Sequence, residues 1–322
     1  MKIKAHLYNS EGDKAVEFTE DICRQLNEKQ LLWVNVLERD TGDVGNVIKN
    51  LQFKNAPVKE ILDTEERPKL DKYDHFYRLF INSVSFNEKT RLKRVPIDFL
   101  VGKNVVITIQ DGEVDYFEEF RNLEEGERHI GEMNAESFVA TLLDLHIVTY
   151  FRAVEEIERK VDKFDEKILT SDLSDQDFFS KMIGLRRDVS KLRRWLIPHR
   201  DVFYALSRPD FEQIAKSDSA GHFQNLSQRF ENAVDAVENL RDTILSLLDL
   251  YATRASHRMN ELMKRLTFVA IIFGALSVIV GALGMNFQAE FFKEGSGFWW
   301  TLTGMGLLSL GLLTTAKIKN WI

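Results

Sequence analysis

Near its C-terminal end the chain carries two long segments without a single charged side chain, and these constrain the fold more than anything that precedes them. From Thr267 to Gly284 the sequence reads TFVAIIFGALSVIVGALG, and from Phe298 to Ala316 it reads FWWTLTGMGLLSLGLLTTA. A helix rises about 1.5 Å per residue, so each segment spans about 27 Å, close to the ~30 Å hydrocarbon core of a bilayer. Either segment alone could be a buried core helix. Two in succession, after a charged chain, predict a pair of transmembrane helices over 267–284 and 298–316.

The flanks agree with that reading. Lys264 and Arg265 precede the first segment, and Lys317 and Lys319 follow the second. Positive charge beside membrane helices stays on the cytoplasmic side, which places the chain before the hairpin and the tail 317–322 inside. The loop 285–297 then faces outward with Glu290, Lys293 and Glu294, and Trp299 and Trp300 fall where an outer aromatic belt belongs.

The remainder must fold in water. Hydrophobic residues make up 44% and charged residues 29% of the 322, an ordinary soluble composition once the two segments are set aside. The formal charge of −7 argues against nucleic acid as a partner, because neutralising phosphates needs a basic face. Cys23 is the one cysteine, so no intrachain disulfide can form. Met1 to Asp21 holds no apolar run of the signal-peptide kind, and the expectation is a cytoplasmic domain.

The patterning predicts an α+β chain: an α/β domain over 1–134, a helical hairpin over 135–221, a stalk helix over 222–266, and then the membrane segments. Strands are expected at 31–37, 77–86, 96–102 and 104–110, which are β-branched or aromatic and bounded by turn residues, with Gly102-Lys103 as a hairpin turn. Short helices are expected at 44–52 and 56–65. Longer helical patterns run over about 135–169 and 174–206, the second interrupted by Pro198. From Gln224 to Arg265 there is neither Gly nor Pro, and no breaker precedes Thr267. One continuous helix over about 222–284, roughly 90 Å long, is the simplest reading.

On that helix Asn260, Met263, Thr267, Ala270, Gly274, Ser277, Gly281 and Gly284 follow at steps of three or four. They form a small and polar stripe, and bulky apolar residues fill the other faces. Small residues let membrane helices approach closely, so the stripe can be a packing face. It can equally line a water-filled path. Two spans cannot enclose a pore, so that second reading requires several copies around an axis.

Sequence signatures of catalysis are missing. There is no G-x-G-x-x-G, P-loop, H-E-x-x-H or EF-hand loop, and the seven histidines lack ligand spacing. An enzyme reading and a cofactor therefore have no positive support.

The residues after the first membrane segment are Gly284-Met285-Asn286. Their context is Tyr251, then Met259-Asn260-Glu261-Leu262-Met263-Lys264-Arg265-Leu266-Thr267, an uncharged helix, GMNF, a short loop and a last span. This arrangement resembles the CorA family of divalent cation transporters. Trp33 in LLWVNV, Arg67 to Tyr73 (RPKLDKY) and DFLVGKNVVITIQDG (98–112) look similar to it too. The resemblance implies a homopentameric funnel in the bacterial inner membrane with both termini cytoplasmic. It implies a pore lined by Asn260, Met263, Leu266, Thr267, Gly274, Ser277 and Gly281, and an outer mouth of Gly284, Met285 and Asn286 with Glu290 and Glu294 in the adjoining loop. The transported ion would be Mg²⁺ or a related divalent cation, held at Asn286 through its water shell. Met263 and Leu266 would form apolar rings able to close the path.

The chain departs from the magnesium members at several places. GMN is followed by Phe287-Gln288-Ala289-Glu290-Phe291 without proline, Gly274-Ala275 stand where such members often carry Met-Pro, and Asn225 occupies a stalk position often acidic in them. A zinc-transporting branch similar to ZntB, an exporting variant, and a membrane-anchored scaffold remain open at this level.

Overall fold

The computed structural model describes residues 3–9, 12–27, 29–64, 66–87, 91–111, 114–124, 134–170, 176–209, 211, 220–285 and 295–318. The chain divides into two units, 1–245 and 246–322.

The first unit is built on a seven-stranded sheet. Its strands are β1 (Ile3–Asn9), β2 (Gly12–Val16), β3 (Leu31–Val36), β4 (Lys69–Lys72), β5 (Tyr77–Asn87), β6 (Arg91–Val101) and β7 (Val105–Gln110), in the order β2-β1-β3-β7-β6-β5-β4. Among the described strands only β3 and β7 pair in parallel. The turn at Gly102-Lys103 closes with the Gly102 N–H donating to the Val105 carbonyl at 2.9 Å. All six residues of β3 and of β7 are buried, so helices must cover both faces of the sheet centre.

Alternation along β3 sorts the two cores. Leu32, Val34 and Val36 belong to a cluster with Val44, Val47 and Ile48 of α2 (Thr41–Asn50) and Ile61 of α3 (Val58–Ile61). Trp33 points to the opposite face. It packs edge-on against Phe117 and Phe120 of α4 (Asp115–Glu124) and Phe138 of α5 (Ala135–Thr170), with centroids 5.4, 6.1 and 5.4 Å away. Its indole N–H donates to Thr108 Oγ1 at 2.9 Å, and Thr108 donates to Asn35 Oδ1 at 3.0 Å, so these three polar side chains are linked where they are buried.

The strand and long-helix expectations hold with shifted ends. The helix expected over 44–52 begins at Thr41 because Asp40 caps it, its carboxylate accepting the N–H groups of Gly42 and Asp43 at 2.9 and 3.3 Å. It ends before Gln52, whose φ of 57° leaves the helical region. The one expected over 56–65 shrinks to the single turn of α3. The chain also forms β1, β2, β4, α4 and a short helix α1 (Glu20–Gln25) that the pattern did not announce. The interrupted helix near Pro198 resolves into α6 (Gln176–Leu196), a 3₁₀ turn (Ile197–His199) and α7 (Arg200–Ser207). Helix α8 runs unbroken from Ala220 to Leu283, and α9 spans Ser296–Ile318.

The RPKLDKY segment gains a physical role here. β4 brings Lys69 and Asp71 beside β5, and a charged network runs inward from them. The Lys69 ammonium lies 2.6, 2.5 and 3.0 Å from Glu60, Glu66 and Asp71. Burial opposes its charge, but the three carboxylates outweigh that and hold its pKa above the ordinary lysine value. Arg78 contacts Glu66 at 2.7 Å and Glu60 at 3.2 Å, and its Nε donates to Asp98 Oδ1 at 2.6 Å. Asp98, fully buried, also accepts from Arg39 at 2.5 Å. Arg39 further donates to the carbonyls of Ile61, Pro96 and Ile109, knitting α3, β6 and β7 together.

Candidate functional site

The candidate site lies on the second unit, on α8 beyond residue 246. Among the described residues three helices are long and apolar enough to cross a membrane, yet they differ in what covers them. In α5, 56% of the most apolar window is buried, whereas in α8 and α9 only 6% is, although the α8 window has the highest mean hydropathy, 2.6. Bare surface of that kind on two long helices fits a lipid or partner-helix environment rather than water.

Within α8 the covered and uncovered positions are ordered. Phe268 is buried, and Ile272, Ala275, Leu276 and Ile279 are half-buried. Their spacing puts them on one face. The stripe residues Asn260, Met263, Thr267, Ala270, Gly274, Ser277, Gly281 and Gly284 are all exposed. At 100° per residue they centre on the side opposite the covered face. Leu266, 64% exposed, sits at the margin of the stripe. A methyl group added at Gly274 or Gly281 would meet nothing within 4 Å. The chain thus covers one side of α8 and leaves the small, polar side open along its length.

The hydroxyl groups separate the two apolar helices further. On α9 the Thr301 and Thr303 hydroxyls donate to the carbonyls of Gly297 and Trp299 at 2.9 and 2.8 Å, and Thr314 and Thr315 both donate to Gly311 at 2.9 and 2.8 Å. Their donor capacity is spent within the helix. On α8, the Thr267 and Ser277 hydroxyls make no hydrogen bond to any described residue. Two hydroxyls, the Asn260 amide and the backbone exposed at Gly274 and Gly281 form a polar track along this side of α8, and no side chain of that track carries charge.

At its C-terminal end α8 closes with the Gly284 N–H donating to the Val280 carbonyl at 2.9 Å and the Met285 N–H to Ala282 at 3.4 Å. A Cβ at Gly284 would sit 3.3 Å from the Val280 carbonyl oxygen, so a side chain there would press on that closing bond. Met285 is 67% exposed. Asn286, Glu290 and Glu294 lie outside the described residues, so the expected mouth is represented here by Gly284 and Met285. Among the described residues no group of three or more His, Cys, Asp or Glu side chains is placed to hold a metal ion.

The stripe was legible from residue spacing, but the spent hydroxyls of α9 were not. A threonine in a helix reads the same whether its hydroxyl is free or bonded one turn back. Asn225, singled out from the sequence, lies on α8 within the first unit and lines a hollow of about 250 Å³ with Thr141, Asp144, His222 and Arg229. The Arg229 guanidinium takes both oxygens of Asp144 there, at 2.5 and 2.6 Å.

Comparison with known proteins converges on one family. The chain is 26% identical over 297 residues to the cobalt/magnesium transport protein CorA of Thermotoga maritima, covering 90% of this chain and 83% of that protein. It is 20% identical over 298 residues to the zinc transport protein ZntB of Yersinia enterocolitica, covering 91% and 89%. The complete structure of the CorA magnesium transporter from Methanocaldococcus jannaschii superposes with a TM-score of 0.85 at 20% identity, covering 100% of this chain and 99% of that one, so the fold is CorA-like. The family model described as CorA-like Mg2+ transporter protein matches residues 28–317, and a match over that much of the sequence makes this chain a member of that family.

Proposed function

We propose that this chain moves divalent metal cations across a bacterial inner membrane, as one subunit of a homopentamer whose pore is lined by α8. The observation that carries the reading is the open polar track on α8, turned away from the face that the chain itself covers. A single copy leaves that track bare in an apolar segment, and several copies around an axis would enclose it as a water-filled path. In this reading residues 267–284 and 298–316 cross the bilayer, both termini are cytoplasmic, and 285–297 faces outward. Asn260, Met263, Leu266, Thr267, Gly274, Ser277 and Gly281 line the path, and Gly284, Met285 and Asn286 form its outer mouth.

The ion is Mg²⁺ in the first instance. It dehydrates reluctantly and keeps several waters. A ring of Asn286 amide oxygens would accept hydrogen bonds from those waters, and Glu290 and Glu294 would raise the local concentration of cations. A potential of 100 mV supplies about 2.3 kcal/mol per charge, so roughly 4.6 kcal/mol for a divalent ion, and inward flow needs no other source. Met263 and Leu266, 52% and 64% exposed, are the apolar rings that would close the path by dewetting.

A second reading, zinc transport, is favoured by Gly274-Ala275 and the proline-free loop after Asn286, which set this chain apart from magnesium members, and by the likeness to a zinc transporter. Uptake into proteoliposomes, with Mg²⁺ and Zn²⁺ indicators side by side and with or without a pH gradient, separates the two. Potential-driven Mg²⁺ entry lost in Asn286→Ala supports the magnesium channel. Zn²⁺ entry that follows the pH gradient, with little Mg²⁺ flux, supports the zinc reading. Well-folded protein that moves neither ion makes the chain a membrane-anchored scaffold.

A further inference from the structure

Deep in the first unit two histidines are fully buried side by side. His146 of α5 and His199 of the 3₁₀ turn are both 0% exposed, with ring centroids 5.2 Å apart. Neither belongs to the membrane site, and their position follows from how the sheet ends. β4 reaches only as far as Phe80, so among the described residues the backbone edge of β5 beyond it has no strand neighbour. Asn82 on that edge is capped by side chains instead. Its N–H donates to His199 Nε2 at 2.9 Å, and its carbonyl accepts from the Tyr150 hydroxyl at 2.6 Å. Across β5 the partner of Asn82 is Pro96, one residue past the last β6–β7 pair, Ile97 with Gln110. The missing proline N–H therefore faces no strand.

The hydrogen bonds fix the protonation state. His199 Nδ1 lies 3.0 Å from the Leu196 carbonyl and must donate, so Nε2 carries the lone pair that receives the Asn82 N–H. A proton on Nε2 would set donor against donor. His146 has both ring nitrogens buried without a hydrogen-bond partner among the described residues, so a charge on it would be unsolvated. The groups around the pair offer no compensation. Tyr150 on α5 is committed to Asn82, Arg94 on β6 and Tyr116 on α4 act on Tyr150, and α7 and α8 present the rings of Phe203 and Phe230. The nearby Arg200 and Glu231 pair with each other at 2.9 Å. No carboxylate among the described residues pairs with either imidazole.

We propose that this pair is an acid-released latch, which holds α5 and the corner between α6 and α7 on the distal half of β5 only while both imidazoles are neutral. Burial, reinforced by the neighbouring His199, holds His146 well below the ordinary histidine range, and burial brings His199 down to about 4. A histidine whose folded pKa is depressed contributes stability that is complete above its unfolded value of about 6.5 and is lost as pH falls toward the folded value. The latch thus weakens from about pH 6.5 down to about pH 4.

Backbone amide exchange on the full chain in detergent, corrected for intrinsic rates, tests this. Protection at the Asn82 amide falls about tenfold for each pH unit below about 6.5, per proton taken up. Ile107 in β7 keeps its protection over the same range. Equal loss at both amides, or no loss at Asn82, overturns the latch. His146→Phe breaks no hydrogen bond and supplies the second arm. Its unfolding midpoint at pH 8 matches the parent, and its midpoint falls less steeply below pH 6.5. An unchanged pH profile in that variant overturns the role of His146, and a collapsed fold at pH 8 would show that its ring nitrogens have partners the proposal denies.

Discussion

Helices α5 and α8 begin from the same property and end in different environments. Each has a window long and apolar enough to cross a membrane. In α5 that window is interrupted by polar residues on one side, and its apolar positions Phe138, Leu142, Ile147, Tyr150 and Val154 are all buried against sheet and neighbouring helices. In α8 apolar residues surround most of the circumference, and Val269, Phe273, Val278 and Val280 stand 45%, 66%, 72% and 57% exposed. Hydropathy alone does not separate a core helix from a membrane helix. What separates them is whether the rest of the chain supplies a surface to cover the apolar side.

Charge placed in each helix breaks the comparison most sharply. Ile147→Asp buries a carboxylate in a core with no cation aimed at it and should cost more than about 4 kcal/mol, read as loss of the cooperative thermal transition of the first unit. Val278→Asp should leave that transition in place. It should disfavour membrane insertion by about 3 kcal/mol, read as protein lost from the membrane fraction. If Val278→Asp inserts as well as the parent, α8 does not face lipid or membrane-buried partners.

The buried charges of the first unit come next. Arg78→Met strands Asp98 against Arg39 alone and leaves Glu66 with Lys69 as its remaining partner, and a loss of about 3–5 kcal/mol in denaturant unfolding is expected. A loss below about 1 kcal/mol would make the network ornamental to stability. Asp40→Ala, which removes the cap of α2, should cost about 1 kcal/mol in the same assay. The smallest effect belongs to Thr303→Val on α9. Its hydroxyl is already bonded within its helix, so flux and stability should stay within about 0.5 kcal/mol of the parent.

The sequence made the long helices and the sheet centre legible because their apolar periods are long and regular. It did not disclose β4. Lys69-Leu70-Asp71-Lys72 alternates charge like a loop, and it becomes a strand because Glu60, Glu66 and Arg78 gather around Lys69 and Asp71 in three dimensions. The strand holding Pro96 starts at Arg91 instead of at the proline, because the neighbouring strand that would have needed its N–H has already ended. The α8 stripe was legible from steps of three and four, yet packing face and water-filled path share that spacing. The opposite covered face, and the Thr267 and Ser277 hydroxyls that no described residue engages, favour the path. Asn286 rests on the resemblance alone.

Cysteine accessibility along α8 shows whether its small, polar face borders water during transport. In a Cys23→Ser background, single cysteines at 267, 270, 274, 277 and 281 and at 268, 272, 276 and 279 would be assembled in proteoliposomes and exposed to a charged, water-soluble thiol reagent during Mg²⁺ or Zn²⁺ flux. The account predicts rapid modification with block of flux at the first set and protection at the second. Uniform protection, or modification without the helical period, would contradict a conduction path along this face of α8.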